Sequence, residues 1–316
     1  MKVKKERLQE NNRSKKAKVK VLLKNNWQLY IMMLPVVIYL FVFNYMPMYG
    51  VQIAFRDYKI VNGITGSEWV GLKHFLRFFD TYYAKRIFLN TLILNVLGLL
   101  FGLPLPIIFA VLLNQIRNNK LKRFIQTTIY VPKFISTIVL SGMLYIFLAP
   151  SNGIFNTFRG AFGLDALDLM SSASAFRGIY IISGLWQGTG YSSILYIATL
   201  SSVDPTLYEA AEIDGATIWQ KIRHIDFPML LPTAMMQLIL SSGGMLSSNT
   251  EKVLALQTSG NLPTSDIIGT YVFNNGINGG QFSYTAAIGL LTNIINLVII
   301  LVVNHTSKKV ADVGMF

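Results

Sequence analysis

The stretch YEAAEIDGATIWQKIRHIDFP, residues 208–228, stands between two long apolar runs of the chain. The helix leading into it opens at Asp204-Pro205, where aspartate caps free backbone N–H groups and proline suits the first helical position. That helix is expected to run to about Ile213. Gly215 then takes the left-handed conformation that stops a helix, and a second helix from about Thr217 should fade before Pro228. Ala210 and Ala211 are small enough for a partner surface to approach, with Glu209 and Tyr208 offering a charge and a ring beside them. The pattern alone leaves two readings open, a helix pair that fits into a partner and a loop lying flat on a bilayer.

Outward from this stretch the chain is a membrane protein. It has 316 residues, 52% hydrophobic and only 14% charged, a balance too apolar for a fully hydrated surface. Crossing hydrocarbon takes about 20 mostly apolar residues. Six stretches qualify, at residues 27–48, 87–113, 129–149, 179–200, 229–246 and 284–303. None alternates like a strand, so the expected fold is all-α, a polytopic protein with six transmembrane helices. Pro35, Pro104, Pro106 and Pro232 predict kinks within or near these spans.

The net charge of +13 matters less than its placement. Lys2, Lys4, Lys5, Arg7 and others precede the first span; Arg117, Lys120, Lys122 and Arg123 follow the second; Lys221 and Arg223 follow the fourth; Lys308 and Lys309 follow the sixth. By the positive-inside rule that side is cytoplasmic, and both termini lie inside. The outer face carries Arg56, Lys59, Lys85, Arg86, Arg177 and Lys252, roughly offset by Asp57, Glu68, Asp266 and other acids. Residues 1–26 read as a basic cytoplasmic tail drawn to anionic membrane lipid, not to nucleic acid. Residues 27–86 form the first transmembrane helix and an aromatic-rich outer loop, and residues 87–316 the core. The first span is too long for a signal-peptide apolar region and no small-x-small cleavage site follows it, so it should be retained.

Chemistry is sparse. Cysteine is absent. His74, His224 and His305 fall outside, inside and at the last membrane exit, so they form no joint metal site, and each is expected to be solvated or interfacial. No Gly-x-x-x-x-Gly-Lys-Ser/Thr phosphate loop occurs, so by that route the chain cannot bind and hydrolyse ATP itself, and any nucleotide energy must come from another subunit. The proposed spans contain no acidic relay, which weighs against the alternative of an ion-coupled secondary carrier for a small polar solute. Lys133, near the cytoplasmic start of the third span, is expected to snorkel. No convergent acid, base and nucleophile point to an enzyme.

Glu209-Ala210-Ala211, three residues, Gly215, nine residues, Ile225, one residue, then Phe227-Pro228 resembles the EAA loop of the permease subunits of binding-protein-dependent ABC importers. The family usually has Leu where Phe227 stands. Asp214-Gly215-Ala216 is similar to the sugar branch, whose members include the maltose-importer permeases. The segments NWQLYIMMLPVVIYLFVFNYMPMYGVQIAF (26–55) and YSSILYIATLSSVDPTLYEAAEIDGA (191–216) look most like permeases of the polysaccharide-utilisation type.

The resemblance implies a type I ABC importer permease fold, non-catalytic, in the bacterial plasma membrane. Residues 204–228 would be a coupling loop seated in an ATPase cleft, with Tyr208, Glu209, Ala210, Ala211, Asp214 and Gly215 as the coupling set. Implied partners are a second permease, two ATPase subunits that bind ATP and Mg, and an extracellular solute-binding lipoprotein. The implied cargo is an oligosaccharide. Sugars are held by hydrogen bonds to hydroxyls and by apolar faces on aromatic rings; the fourth span offers Trp186, Gln187, Tyr191, Ser192, Ser193 and Tyr196, and the fifth Gln237, Ser241, Ser242, Ser247 and Ser248. Alignment on the loop with the maltose-importer family carries over Gly188, Tyr191, Ser241 and Ser248, although small polar residues of this kind also serve as helix–helix glue.

Overall fold

The computed structural model describes residues 26–315, and the basic tail expected at residues 1–26 lies, apart from Asn26, outside the described residues. The chain falls into two units, divided between Val70 and Gly71.

In the first unit, α1 (Trp27–Leu40) passes through a π turn (Phe41–Tyr45) into a 3-10 segment (Met46–Phe55). The result is a 29-residue apolar rod, longer than the expected 27–48, with none of its hydrophobic window buried. A helix apolar on every side belongs in hydrocarbon. Beyond it, β1 (Arg56–Asp57) pairs antiparallel with β2 (Glu68–Trp69), Arg56 opposite Trp69. The Arg56 guanidinium donates to Ser67 O at 2.8 Å and lies 5.5 Å from the Trp69 ring centroid, which closes the hairpin. These two-residue strands are the only sheet among the described residues, and the fold is otherwise helical.

The second unit begins with the amphipathic α2 (Lys73–Asp80). His74 and Phe78, one turn apart, share its buried face. His74 is therefore only 5% exposed, buried where a solvated or interfacial position was expected. The second span is α3 (Ala84–Gly102) followed by α4 (Pro104–Asn114), and the expected kink falls at Leu103, directly before Pro104.

The third predicted span is not one straight helix. α5 (Asn119–Tyr130) runs into a 3-10 turn (Val131–Phe134), and α6 (Thr137–Phe147) leaves it at 96°. Ile135 is extended, and the Ser136 side chain accepts from Val139 N at 3.3 Å, so a new helix starts there. Lys133 consequently stands in the 3-10 turn directly before the bend.

After α7 (Ile154–Ala161) comes α8 (Ala173–Ser201), 29 residues long, which spans roughly 43 Å at the α-helical rise. Four helical segments among the described residues are long and apolar enough to cross a membrane, and the bent pair, taken as one span, is a fifth. α8 completes six crossings by length, and its Ser, Gly, Gln and Thr content separates it from the others in hydropathy. Where α8 meets α5 the backbones nearly touch: a Cβ on Gly190 would stand 2.1 Å from Ile129 O.

α9 (Pro205–Ile213) and α10 (Ile218–Lys221) form the hairpin between the fourth and fifth spans. α10 does not fade before Pro228. It continues through a π turn (Ile222–Asp226) into α11 (Phe227–Ser242), one helical run from Ile218 to Ser242. The widened turn contains His224, the residue four before Pro228, and so relieves the clash that the proline ring makes with that carbonyl. Short helices α12 (Thr250–Leu256), α13 (Leu262–Ser265) and α14 (Ile268–Phe273) precede the last span, α15 (Phe282–Ala311).

Three apolar clusters hold the unit together. One joins Phe78, Ile87, Ile268 and Tyr284, a second Leu94, Phe176, Val253 and Ile267, and a third Val111, Tyr196, Leu200 and Leu230. Each ties α3–α4 or α8 to the later helices, which places the α9–α10 hairpin directly beneath the third.

Candidate functional site

The hairpin's conformation follows from its caps. Asp204 accepts from Thr206 N at 2.9 Å and Pro205 occupies the first helical position. At the other end Gly215 has φ +72°, Ala216 N donates to Ala211 O at 2.8 Å, and Gly215 N to Glu212 O at 3.1 Å. This is a Schellman stop, which glycine adopts without strain. Thr217 and Gln220 cap α10 reciprocally, Thr217 N donating to Gln220 Oε1 at 2.7 Å and Gln220 N to Thr217 Oγ1 at 3.4 Å. Lys221 Nζ donates to Glu212 Oε1 at 2.7 Å and braces the two helices; it also holds the Glu212 carboxyl below its ordinary range.

Glu209, Ala210, Asp214 and Gly215 are exposed, and Ala211 is half-buried. Beside them Ile213 and Trp219 are 87% and 79% exposed, a large apolar area for a polar hairpin. Ala211, Asp214 and Gly215 border a shallow depression of about 380 Å³ between the two helices.

Tyr208 faces the other way. Its hydroxyl donates to Asp226 Oδ1 at 2.5 Å, and Gln115 Nε2, just past α4, donates to Asp226 Oδ2 at 3.1 Å. Asp226 is fully buried. Burial, and then the hydrogen bond to Asp226, push the Tyr208 phenol above its ordinary range, so it remains a donor. One buried acid thus ties the hairpin to the adjoining ends of the second and fifth spans. The sequence reading missed Asp226 because it began the fifth span at residue 229; the available signal was a lone acid bordering an apolar run.

The residues expected to line a sugar path are only partly brought together. Tyr191 and Ser241 border one cavity of about 530 Å³, with Leu99, Pro106, Ser192 and Gln237. Tyr191 is half exposed, and the Lys133 ammonium sits 5.7 Å from its ring centroid. Trp186 lies instead in a separate apolar groove beside Leu140, Phe147 and Ile182. Gln187 Nε2 donates to Ile135 O at 2.7 Å, securing α8 to the bend. A Cβ on Gly188 would meet open space. Ser248 Oγ accepts from Asn95 Nδ2 at 2.6 Å, so this half-buried serine ties the segment between α11 and α12 to α3. Asn95 escaped the sequence reading because a single amide in an apolar helix carries no periodic signal.

Another buried cation went unrecognised. Lys252 on α12 donates to Tyr180 O at 2.9 Å and lies 4.9 Å from the Tyr180 ring centroid, with Gly184 leaving room for its ammonium. Burial pulls its pKa down to about 8. No grouping of His, Asp or Glu suited to a metal occurs among the described residues.

Comparison with known proteins gives this architecture a family. The permease protein YteP of the Bacillus subtilis (strain 168) polygalacturonan/rhamnogalacturonan transport system is 38% identical over 288 residues, covering 91% of this chain and 90% of that protein. A crystal structure of a bacterial ABC transporter that imports the acidic polysaccharide alginate matches at TM-score 0.85 and 36% identity, over 91% of this chain and 97% of its own. The same transporter type, solved in complex with an alginate pentasaccharide-bound periplasmic protein, matches at TM-score 0.86 and 35% identity, over 93% and 98%. The family model for binding-protein-dependent transport system inner membrane components spans residues 102–312, from the kink of the second span through the hairpin to the end of the last, and the chain belongs to that family of non-catalytic ABC transporter permeases.

Proposed function

We propose that this chain is one of two permeases in an ATP-driven importer of oligosaccharides cut from complex glycans, and that the α9–α10 hairpin couples it to a separate ATPase. The observation that carries the coupling is the hairpin itself, which is capped at both helix starts, braced by Lys221–Glu212, tied inward through Tyr208–Asp226, and yet exposes Glu209, Ile213 and Trp219. A stiff element that shows apolar surface and is anchored to two spans is suited to transmit force.

In this proposal Glu209, Ala210, Ala211, Asp214 and Gly215 meet the ATPase, while Tyr208 holds the hairpin to the bundle. ATP and Mg are bound by the two ATPase subunits, whose closure moves the hairpin and tilts the spans between inward-open and outward-open states. A second permease completes the path, and an extracellular solute-binding lipoprotein delivers the sugar. The setting is a bacterial plasma membrane with both termini in the cytoplasm. The relatives support a carbohydrate cargo, polygalacturonan and rhamnogalacturonan in one and alginate in the other. Tyr191, Ser241 and Gln237 supply a ring face and hydrogen-bonding groups on one cavity, which suits a sugar passing between α8 and α11.

Gentle purification of the chain from its native membrane tests this proposal. An ATPase, a second permease and a sugar-binding lipoprotein should accompany it; a chain that arrives without an ATPase refutes the coupling. Since the sequence lacks cysteine, a single Ala210→Cys reports sidedness cleanly. Its labelling from the outer face of intact cells by an impermeant reagent would equally refute it.

A further inference from the structure

A second recess opens where the first turns of α3 and α8 meet the turn at α13, on the face that the charge distribution places outside the cell. Its volume is about 510 Å³, and its wall carries Tyr82, Tyr83, Lys85, Arg86, Asn90 and Arg177. Three cations thus stand at one recess. The nearby acid is Asp266, and it is engaged: Arg86 Nη2 approaches Oδ2 at 3.4 Å, and Thr270 Oγ1 donates to Oδ1 at 3.0 Å. The recess keeps an excess of positive charge.

The placement of these cations works against helix stability. Lys85 and Arg86 occupy the first turn of α3, which contains no acid, so both oppose the positive end of the helix dipole. The arginines are nevertheless held in position. Asn90 is buried and spends both amide hydrogens on Pro263 O at 2.9 Å and Asp266 O at 3.0 Å. Its Oδ1 is thereby fixed toward Arg177, which donates to it through Nη2 at 2.9 Å. The Nε atoms of Arg86 and Arg177 are buried without an acceptor among the described residues. Both guanidiniums are therefore oriented by the protein: Arg177 pairs with a neutral amide and no carboxylate, and Arg86 shares the single carboxylate of Asp266 at 3.4 Å. At the rim, Tyr82 is 90% exposed and Tyr83 half exposed, their rings 5.2 Å apart and edge to face, and Arg86 lies 4.7 Å from the Tyr83 centroid.

We propose that this recess is a receiving subsite for a carboxylated sugar unit of the incoming oligosaccharide, with Arg86 and Arg177 taking the carboxylate, Lys85 adding charge at the rim, and Tyr82 covering an apolar face of the ring. Guanidinium pairs carboxylate with matched geometry, and an exposed tyrosine suits a sugar face. The proposal rests on the importer reading and adds a cargo class, sugars that carry a carboxylate, together with a place where they first touch the permease.

The test uses the intact complex in proteoliposomes with its binding protein, and two probes of equal length: a galacturonate trisaccharide and its fully methyl-esterified, uncharged form. Arg177→Gln and Lys85→Gln should each lower uptake of the acid, the former by about tenfold, while changing uptake of the ester less than about twofold. Raising ionic strength should depress uptake of the acid selectively in wild type and less in the variants. Lys85 is exposed, so Lys85→Gln reports even where Arg177→Gln impairs folding. Equal loss on both probes, or no loss on either, overturns the subsite.

So does weaker docking of the sugar-free binding protein to the variants, which would assign the recess to an acidic protein surface instead. A wild-type complex that imports the ester alone, unaffected by the substitutions, overturns the subsite while leaving the importer standing. Import of neither probe by a complex that contains its ATPase and binding protein overturns the subsite too; the importer itself is judged separately, by what accompanies the chain from its membrane.

Discussion

Replacing Tyr208 with phenylalanine removes one hydroxyl from the bundle-facing side of the α9–α10 hairpin and keeps the ring. The hydroxyl donates to Asp226 at 2.5 Å, and Asp226 is fully buried, with Gln115 at 3.1 Å as its second donor. A hydrogen bond to a charged acceptor contributes about 1.5–3 kcal/mol, and a buried oxygen left short of a donor adds desolvation to that loss. The cost falls on the attachment of α9 to the turn before α11, because those are the elements the bond joins. Local opening of α9 should therefore become easier by that amount, which accelerates amide exchange in residues 206–213 about 10- to 100-fold where opening limits exchange. The assay is hydrogen–deuterium exchange on the purified complex, paired with sugar imported per ATP hydrolysed. The exchange change should stay confined to α9 and its neighbours, and the transport ratio should fall while basal ATP turnover persists. The wild-type tether should also weaken as pH rises through the ordinary tyrosine value of 10.0, since folding holds this phenol protonated more strongly than the unfolded chain does. Unchanged exchange in α9 with an unchanged transport ratio would refute the tether.

Glu209→Ala should leave the chain folded, because Glu209 is exposed, yet weaken ATPase binding or uptake; intact binding and uptake would remove it from the coupling set. Gly190→Ala places a methyl 2.1 Å from Ile129 O and should destabilise the α5–α8 contact by about 1–3 kcal/mol, read as a lower unfolding midpoint and lower yield. Tyr191→Ala should lower sugar-stimulated ATP turnover about two- to tenfold without altering subunit assembly, since one half-exposed ring face on the cavity is lost. For Lys252, burial favours the neutral amine, so the folded chain binds fewer protons than the unfolded chain between about 8 and 10.5. Its contribution should therefore make stability rise with pH across that window, and Lys252→Met should flatten the slope in a pH series of unfolding midpoints.

Much of this protein is legible in its order of residues, because the features concerned are local. Hydrocarbon admits only segments that satisfy their own backbone, so six apolar runs announce their helices without reference to one another. The same holds for the hairpin: Asp204-Pro205 starts α9 and Gly215 stops it through contacts within a few residues, and those termini appear where the residues placed them. The departures arise where neighbours decide. Pro228 looks like a terminus until the π turn ahead of it accommodates the ring. The run at 129–149 is apolar enough to cross, but the extended Ile135 and the fresh cap at Ser136 turn it through 96°.

The sites divide along the same line. The exposed position of Glu209, Ala210 and Gly215 on a helical hairpin was legible from local signals, since a hairpin's surface is set by its own caps. The pairing of Tyr208 and Gln115 on Asp226, the parting of Trp186 from Tyr191 into different cavities, and the gathering of Arg86 and Arg177 around Asn90 could not. Helical periodicity specifies which face a side chain occupies; which partner meets that face depends on how separate helices cross and pack. Asn90 and Arg177 are 87 positions apart in the chain and 2.9 Å apart in space, a proximity that only the tertiary fold creates.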